Sequence, residues 1–329
     1  MTWMAVFFGV MILAVLVLVV VRIREHRLRR YGLLIVALVL MSLQLFGLNR
    51  DDPRVNAVER IHFLFYGGIA YLYFAAFRRR GVLNAVLLAF GASLIVAVMD
   101  ESVQWFFANR TGEVLDVLLN AYATVVGLLV SLAFDVRGAE GSARPKLELR
   151  LMGRMLACDL VLVAAFIHFA HLGYSLEDEG IGRFRSYFTL EQLEEIGEAR
   201  LRRWAEEKPW PERSLDREDQ YRREAERRVQ HRNATFERGD FYQAWKENLI
   251  LEKYYQPVLK LEEMGARKGM YRFSPTNLEQ LEASRPRGDL YPYDSPAGRG
   301  VVWVRPGKGV LWVVTLVVVG VALVVTRKK

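Results

Sequence analysis

Seven polar residues stand at helical spacings within or beside strongly apolar stretches, and their types could carry binding or proton-transfer chemistry. His62 and Tyr66 are four residues apart, Glu101 and Gln104 three, and Asp116 and Asn120 four, with Arg110 between the last two pairs. Residues at i,i+3 and i,i+4 share a helix face, so each pair turns two polar groups to one side. Arg110 supplies a cation suited to phosphate or carboxylate, and Gln104, Asn120 and Tyr66 supply directional hydrogen bonds. Catalysis would use Glu101 or Asp116 as general base, His62 as a second proton-transfer group and Arg110 against developing negative charge. A structural use is equally open: Arg110 paired with Glu101 or Asp116, and the amides acting as interhelical glue. The sequence holds no nucleophile beside a base, no phosphate loop and no dense metal cluster, so the reading leans away from an enzyme and predicts neither a cofactor nor a metal.

The elements that must position these residues are membrane helices. A spanning helix needs about 20 mostly apolar residues, and runs of that order occur at 4–21, 31–48, 61–77, 82–99, 113–134, 152–173 and 309–326. This predicts an all-α, polytopic integral membrane bundle of seven spans. Lys and Arg cluster after the first span (Arg22 to Arg30), the third (Arg78 to Arg80), the fifth (Arg137 to Arg150) and the seventh (Arg327 to Lys329). Cytoplasmic loops carry that excess, so the N-terminus is expected outside and the C-terminus inside the inner (plasma) membrane. The charges that follow the first span, rather than preceding it, mark a retained anchor and not a cleaved signal. All three polar pairs then fall at the outer ends of spans three to five. Gly67 and Gly68, with Ala121 and Ala123, would let the third and fifth backbones approach.

The formal charge of +8 does not indicate nucleic acid. Residues 174–308 hold 25 basic against 25 acidic side chains, and the excess lies in the membrane part, 20 against 12; orientation and anionic headgroups account for it there. The single cysteine, Cys158, sits in a span and has no internal partner.

Along the chain the reading is a compact block at 1–150, a sixth span at 152–173, an extracytoplasmic, mainly helical domain at 174–308 and a C-terminal span at 309–326. Within the domain, Thr189 and Gln192 fit a capping box. A highly charged helix is expected from about Asp216 to Phe236 with Tyr221, Ala225 and Val229 as its apolar stripe. Asp240 caps a third helix that Pro257 ends or kinks, a short helix follows at 276–284, and 285–308 is expected to be irregular or weakly extended. No catalytic or metal spacing occurs there; the expectation is a hairpin presenting charged and aromatic surface, a candidate contact for another envelope protein. His168 and His171 fit an aromatic interface belt with Phe166 and Phe169 better than a metal site with His62. Asp159 has Arg154 or a neighbouring helix as its candidate partner.

The segments from His62 to Tyr66, and from Asp100 through Glu101, Gln104, Arg110 and Asp116 to Asn120, resemble the VanZ-like membrane proteins over roughly residues 30–135. The Glu, Gln, Arg, Asp and Asn of that family's pattern are present at the expected distances, whereas Ala123 stands where members usually have Gly, with the next Gly at Gly127. The resemblance implies a bacterial envelope protein whose founding member is associated with low-level teicoplanin resistance, and it implies no established reaction. The partners expected are membrane lipids and a lipid-linked or cell-wall ligand or glycopeptide, bound through His62, Tyr66, Glu101, Gln104, Arg110, Asp116 and Asn120.

Overall fold

The computed structural model describes residues 23–47, 53–107, 112–135, 148–206, 217–263, 269, 271–284, 293–298, 300–305 and 307–327. The predicted first span, 4–21, lies outside these residues, as does Arg110. The chain divides into two compact units: Met1–Met99 with Leu115–Leu162 and Val318–Lys329, and Asp100–Val114 with Val163–Val317.

The first unit is built from long apolar helices. They are α1 (Arg27–Gly47), α2 (Pro53–Phe77) and the parts that this unit holds of α3 (Val82–Trp105, as far as Met99), α4 (Val114–Phe134, from Leu115), α5 (Leu149–Ala170, as far as Leu162) and α11 (Lys308–Arg327, from Val318). Among the described residues, α3, α4, α5 and α11 are long and apolar enough to cross a bilayer. Ile35, Val39 and Leu43 on α1, Leu64 and Leu72 on α2, and Val321 and Val325 on α11 are exposed. Apolar surface on this scale is costly in water and suits lipid tails. The helices meet through small residues: Ala70, Phe74, Ala85, Ala89 and Leu128 form a core of α2, α3 and α4. A Cβ on Gly153 would strike the Thr326 side chain, so α5 and α11 also approach closely.

One end of this unit is fastened by charge. The buried Arg30 donates to the Asp135 carbonyl at 2.7 Å, Arg78 pairs with the Asp135 carboxylate at 2.8 Å, and Arg80 pairs with Glu148 at 2.5 Å. Asn84 donates to the Arg80 carbonyl at 2.6 Å and accepts the Glu148 N–H at 3.0 Å. These contacts join the start of α1, the end of α2, the start of α3, the end of α4 and the start of α5. Deeper in, Asp159 is buried facing Gly91 of α3, and its Oδ1 accepts no hydrogen bond among the described residues. Arg154 is exposed, and the Arg154 pairing does not form.

The second unit is mainly helical but contains a sheet, a departure from the all-α expectation. The sixth span ends as helix at Ala170, three residues early. The chain then becomes β1 (Leu172–Asp178), turns, and returns as β2 (Gly182–Ser186). The two pair antiparallel from Tyr174↔Ser186 to Asp178↔Gly182, and β3 (Trp303–Val304) adds parallel to β1 on its other edge. Leu176, Phe184 and Ser186 point inward while Ser175, Glu177, Arg183 and Arg185 are exposed, a period of two that suits one buried sheet face. Gly182 takes φ 118°, which closes the turn.

On this sheet pack α6 (Leu190–Glu206), α7 (Arg217–Glu237), α8 (Phe241–Tyr254) and the short α9 (Gln256–Leu259), and α10 (Pro275–Ala283) packs on α8 through Leu281. The Gln192 N–H donates to Thr189 Oγ1 at 3.2 Å and the Thr189 N–H to Gln192 Oε1 at 3.3 Å, the reciprocal capping box. Asp240 accepts the Gln243 N–H at 3.1 Å, and α8 breaks just before Pro257. Tyr221, Ala225 and Val229 are fully buried in one core with Phe184, Phe188 and Tyr255.

The charged face of α7 is where the expectation of solvated surface fails. Arg228 is fully buried, with Glu224 and Glu247 buried beside it. Arg228 donates to Glu247 and Glu224 at 3.3 Å each, to Ser295 at 3.1 Å and to the Arg185 carbonyl at 2.6 Å. Tyr255 and Ser186 donate to Glu224, and Tyr293 and Ser295 donate to Glu247. The charges go inside because strand and loop segments remote in sequence supply their partners, as buried ions require.

Candidate functional site

The predicted constellation is distributed over both units. In the first, α2 carries His62 and Tyr66, whose ring centroids lie 6.3 Å apart, and Tyr66 is fully buried. On α4, Asp116 lies in the first turn and Asn120 follows one turn later, fully buried. The expected close approach of these helices is found, but its place has moved. Gly67 faces the Ala123 carbonyl and Gly127, and a Cβ on Gly127 would sit 2.7 Å from Gly67 Cα, well inside contact distance. Gly127 thus provides the clearance that Ala123 cannot, while Gly68 faces open space.

Asn120 is chemically the most telling of these residues. Neither its Oδ1 nor its Nδ2 has a hydrogen-bond partner among the described residues, although the side chain is wholly inaccessible. A buried amide left unpaired costs roughly 1–3 kcal/mol per group. Its neighbours behave differently: Thr124 donates to the Asn120 carbonyl at 2.9 Å and Ser131 to the Gly127 carbonyl at 2.7 Å, which satisfies both hydroxyls locally. Asn120 is thus the one residue of the constellation whose buried side-chain amide has no hydrogen-bond partner among the described residues.

In the second unit, α3 runs beyond the predicted end at 99 and carries both Glu101 and Gln104. Glu101 is fully buried. Its Oε1 accepts from Gln104 Nε2 at 3.2 Å and its Oε2 from the Glu113 backbone N–H at 3.1 Å, while Gln104 Nε2 also reaches Asp100 at 3.1 Å. Gly112 lies over the last turns of α3, where an added Cβ would collide with the Glu101 carbonyl and come within 3.2 Å of Trp105 Cβ. Glu101 thereby holds down the returning end of the segment that contains Arg110 in sequence.

Several groups in this neighbourhood escape a reading by spacing alone. Arg223 of α7 donates to the Phe107 carbonyl, and Phe169 at the end of α5 packs against Trp105 and Phe106, at centroid distances of 5.5 and 6.4 Å. His171 is buried and its Nδ1–H donates to the Gly300 carbonyl at 2.7 Å, so it serves as a junction residue and not as part of an exposed belt. Burial raises the Tyr187 hydroxyl above its ordinary range against the opposing pull of Arg227, leaving it a neutral donor. Glu113 had one sequence signal, its position next to the first turn of a helix, where acidic residues are favoured; the contacts of Arg223 and His171 join segments too distant for any local pattern.

Residues 4–135 match the family model described as VanZ/LLP1. No curated protein and no solved structure is matched by the chain. The match contains the paired residues of α2, α3 and α4 and stops short of α5 and the domain that follows, so residues 4–135 are a VanZ-like domain within a chain whose apolar helices suit a membrane.

Proposed function

We propose that this chain is a multi-pass protein of the bacterial inner membrane that binds or modulates an envelope component through polar residues at the outer ends of α2, α3 and α4. The ligand class is lipid-linked or cell-wall material, or a glycopeptide antibiotic. The N-terminus lies outside, the C-terminus in the cytoplasm, and residues 174–308 form an extracytoplasmic domain available to a protein partner. Charge bias supports this orientation, and so do the ion pairs of Arg78 with Asp135 and Arg80 with Glu148, which gather at the helix ends that the bias assigns to the cytoplasm.

The observation that carries the binding reading is Asn120. If the polar residues were only glue, a fully buried amide would be bonded across the helix interface. Glu101 fits a general base poorly, because its Oε1 already accepts from Gln104 and its Oε2 from the Glu113 N–H. The test is ligand binding by the purified full-length protein in nanodiscs, with envelope lipids and teicoplanin as probes. Arg110→Ala and Asn120→Ala are each expected to weaken binding about tenfold, the size of one good hydrogen bond to a charged group. Unchanged affinity for every probe contradicts the proposal.

A further inference from the structure

The second unit holds a cavity of about 330 Å³ that none of the residues of the proposed site lines. It lies where α5 ends and where the chain is about to enter α11, both helices of spanning length and composition. Ligand pockets start at roughly this size, which admits one sugar-sized ring with a substituent.

Its lining is rich in hydrogen-bond donors. His168 Nδ1 accepts from Trp312 Nε1 at 3.3 Å, which places the ring proton on Nε2 as a donor. Gln192 spends its carbonyl and its backbone N–H on the capping box, so its NH2 group is left over. Gln220 adds a second amide. Arg305 donates to the Tyr174 hydroxyl at 3.0 Å and lies 5.2 Å from that ring's centroid. A guanidinium has five N–H donors, so most of its capacity is still open. Tyr174, Tyr187 and Phe188 supply flat walls against which a ring can stack.

Donors, one fixed cation and aromatic walls suit a ligand that is oxygen-rich, anionic and ring-shaped. The ends of α5 and α11 bring it to the depth where the headgroups of a bilayer begin, a level that Trp312 and Trp303 also favour. We propose that this cavity binds a sugar or cyclitol phosphate. Such a group can come from a membrane lipid or from solution.

The experiment uses the full-length protein in phosphatidylcholine nanodiscs. Soluble glucose 1-phosphate is titrated in one arm; in the other, phosphatidylinositol is included in the disc, with phosphatidylglycerol as the equally charged lipid that lacks a ring. Thermal stabilisation reports binding to the folded state. Stabilisation by phosphatidylinositol but not by phosphatidylglycerol supports the proposal with a lipid source, and stabilisation by glucose 1-phosphate supports it with a soluble one. Arg305→Ala and Gln220→Leu are each expected to weaken that binding about tenfold, while Arg305→Lys retains part of it. Arg305 is exposed, so its loss leaves the fold standing. Equal stabilisation by the two anionic lipids with none by glucose 1-phosphate, no stabilisation in either arm, or binding indifferent to both variants overturns the proposal.

Discussion

Buried polar groups occur in both units, and two of them, Arg228 and Asn120, are treated in opposite ways. Around Arg228, two carboxylates, the Ser295 hydroxyl and the Arg185 carbonyl close on one guanidinium, and among its nitrogens only Nε lacks a hydrogen bond among the described residues. In the membrane unit, Asn120 and Ser93 are fully buried and Asp159 nearly so, and each leaves at least one polar atom without a partner. The first pattern is that of a group kept for architecture. The second carries a standing cost, which under the proposed function marks a place prepared for a ligand.

The largest effect should come from breaking the fastening. Arg228→Met leaves Glu224 and Glu247 buried without their cation, and removing one partner from such a set costs about 3–5 kcal/mol. The expected outcome is rapid proteolysis of the domain after α5 in the full-length protein, with the membrane unit still intact; unchanged protease resistance would place the network outside the core energetics. Next in size is Gly127→Val, which forces side-chain atoms against the Gly67 backbone. Overpacking of this kind costs about 1–3 kcal/mol, and it should be read as a lowered melting temperature together with lost ligand binding. The same change at Gly68, which faces open space, should do neither.

Asp159→Asn tests the opposite sign. Keeping an acidic side chain within a span costs roughly 2.5–3.5 kcal/mol at the helix centre, and Asp159 has no cation paired to it among the described residues. The neutral variant should melt at the same temperature or higher; a clear loss of stability would reveal a partner that fixes the ionised form.

The smallest effect concerns Asp178. Burial alone would raise its carboxyl, but Lys253 at 2.6 Å, Tyr254 at 2.5 Å and the Gly180 N–H at 3.0 Å hold it below its ordinary value of 3.8. A depressed folded value means that the carboxylate contributes stability fully above the unfolded value and loses it as pH falls through the folded one. Acid should therefore loosen the β1–β2 turn only below about 3.8. Asp178→Asn should flatten that part of the pH profile of protease resistance.

The same contrast explains what was legible in the sequence. Thr189 with Gln192, Asp240 and Pro257 are local devices, and each acts within four residues of its place in the chain. The stripe of Tyr221, Ala225 and Val229 is likewise readable because helical spacing alone puts it on one face. The β1–β2 hairpin carried a usable signal, the alternation of Leu176 with Ser175 and Glu177 and of Phe184 with Arg183 and Arg185 about a Gly-rich turn, but it adjoins a span and is easily absorbed into it. Glu224 and Arg228 look on sequence grounds like an exposed i,i+4 pair; their burial depends on Ser186, Glu247, Tyr255, Tyr293 and Ser295, which no local spacing connects. The pairs His62 with Tyr66, Glu101 with Gln104 and Asp116 with Asn120 were legible as pairs. That Glu101 anchors Glu113, and that Asn120 is left unbonded, are properties of packing.

The most direct measurement replaces Asn120 by leucine, similar in size and unable to hydrogen-bond, and follows two quantities in the same full-length preparation: the melting temperature and the affinity for envelope lipids and teicoplanin. An amide held ready for a ligand predicts an unchanged or higher melting temperature with binding weakened about tenfold. A lowered melting temperature with binding unchanged would show that Asn120 is glue after all and would contradict the binding site at the outer ends of these helices.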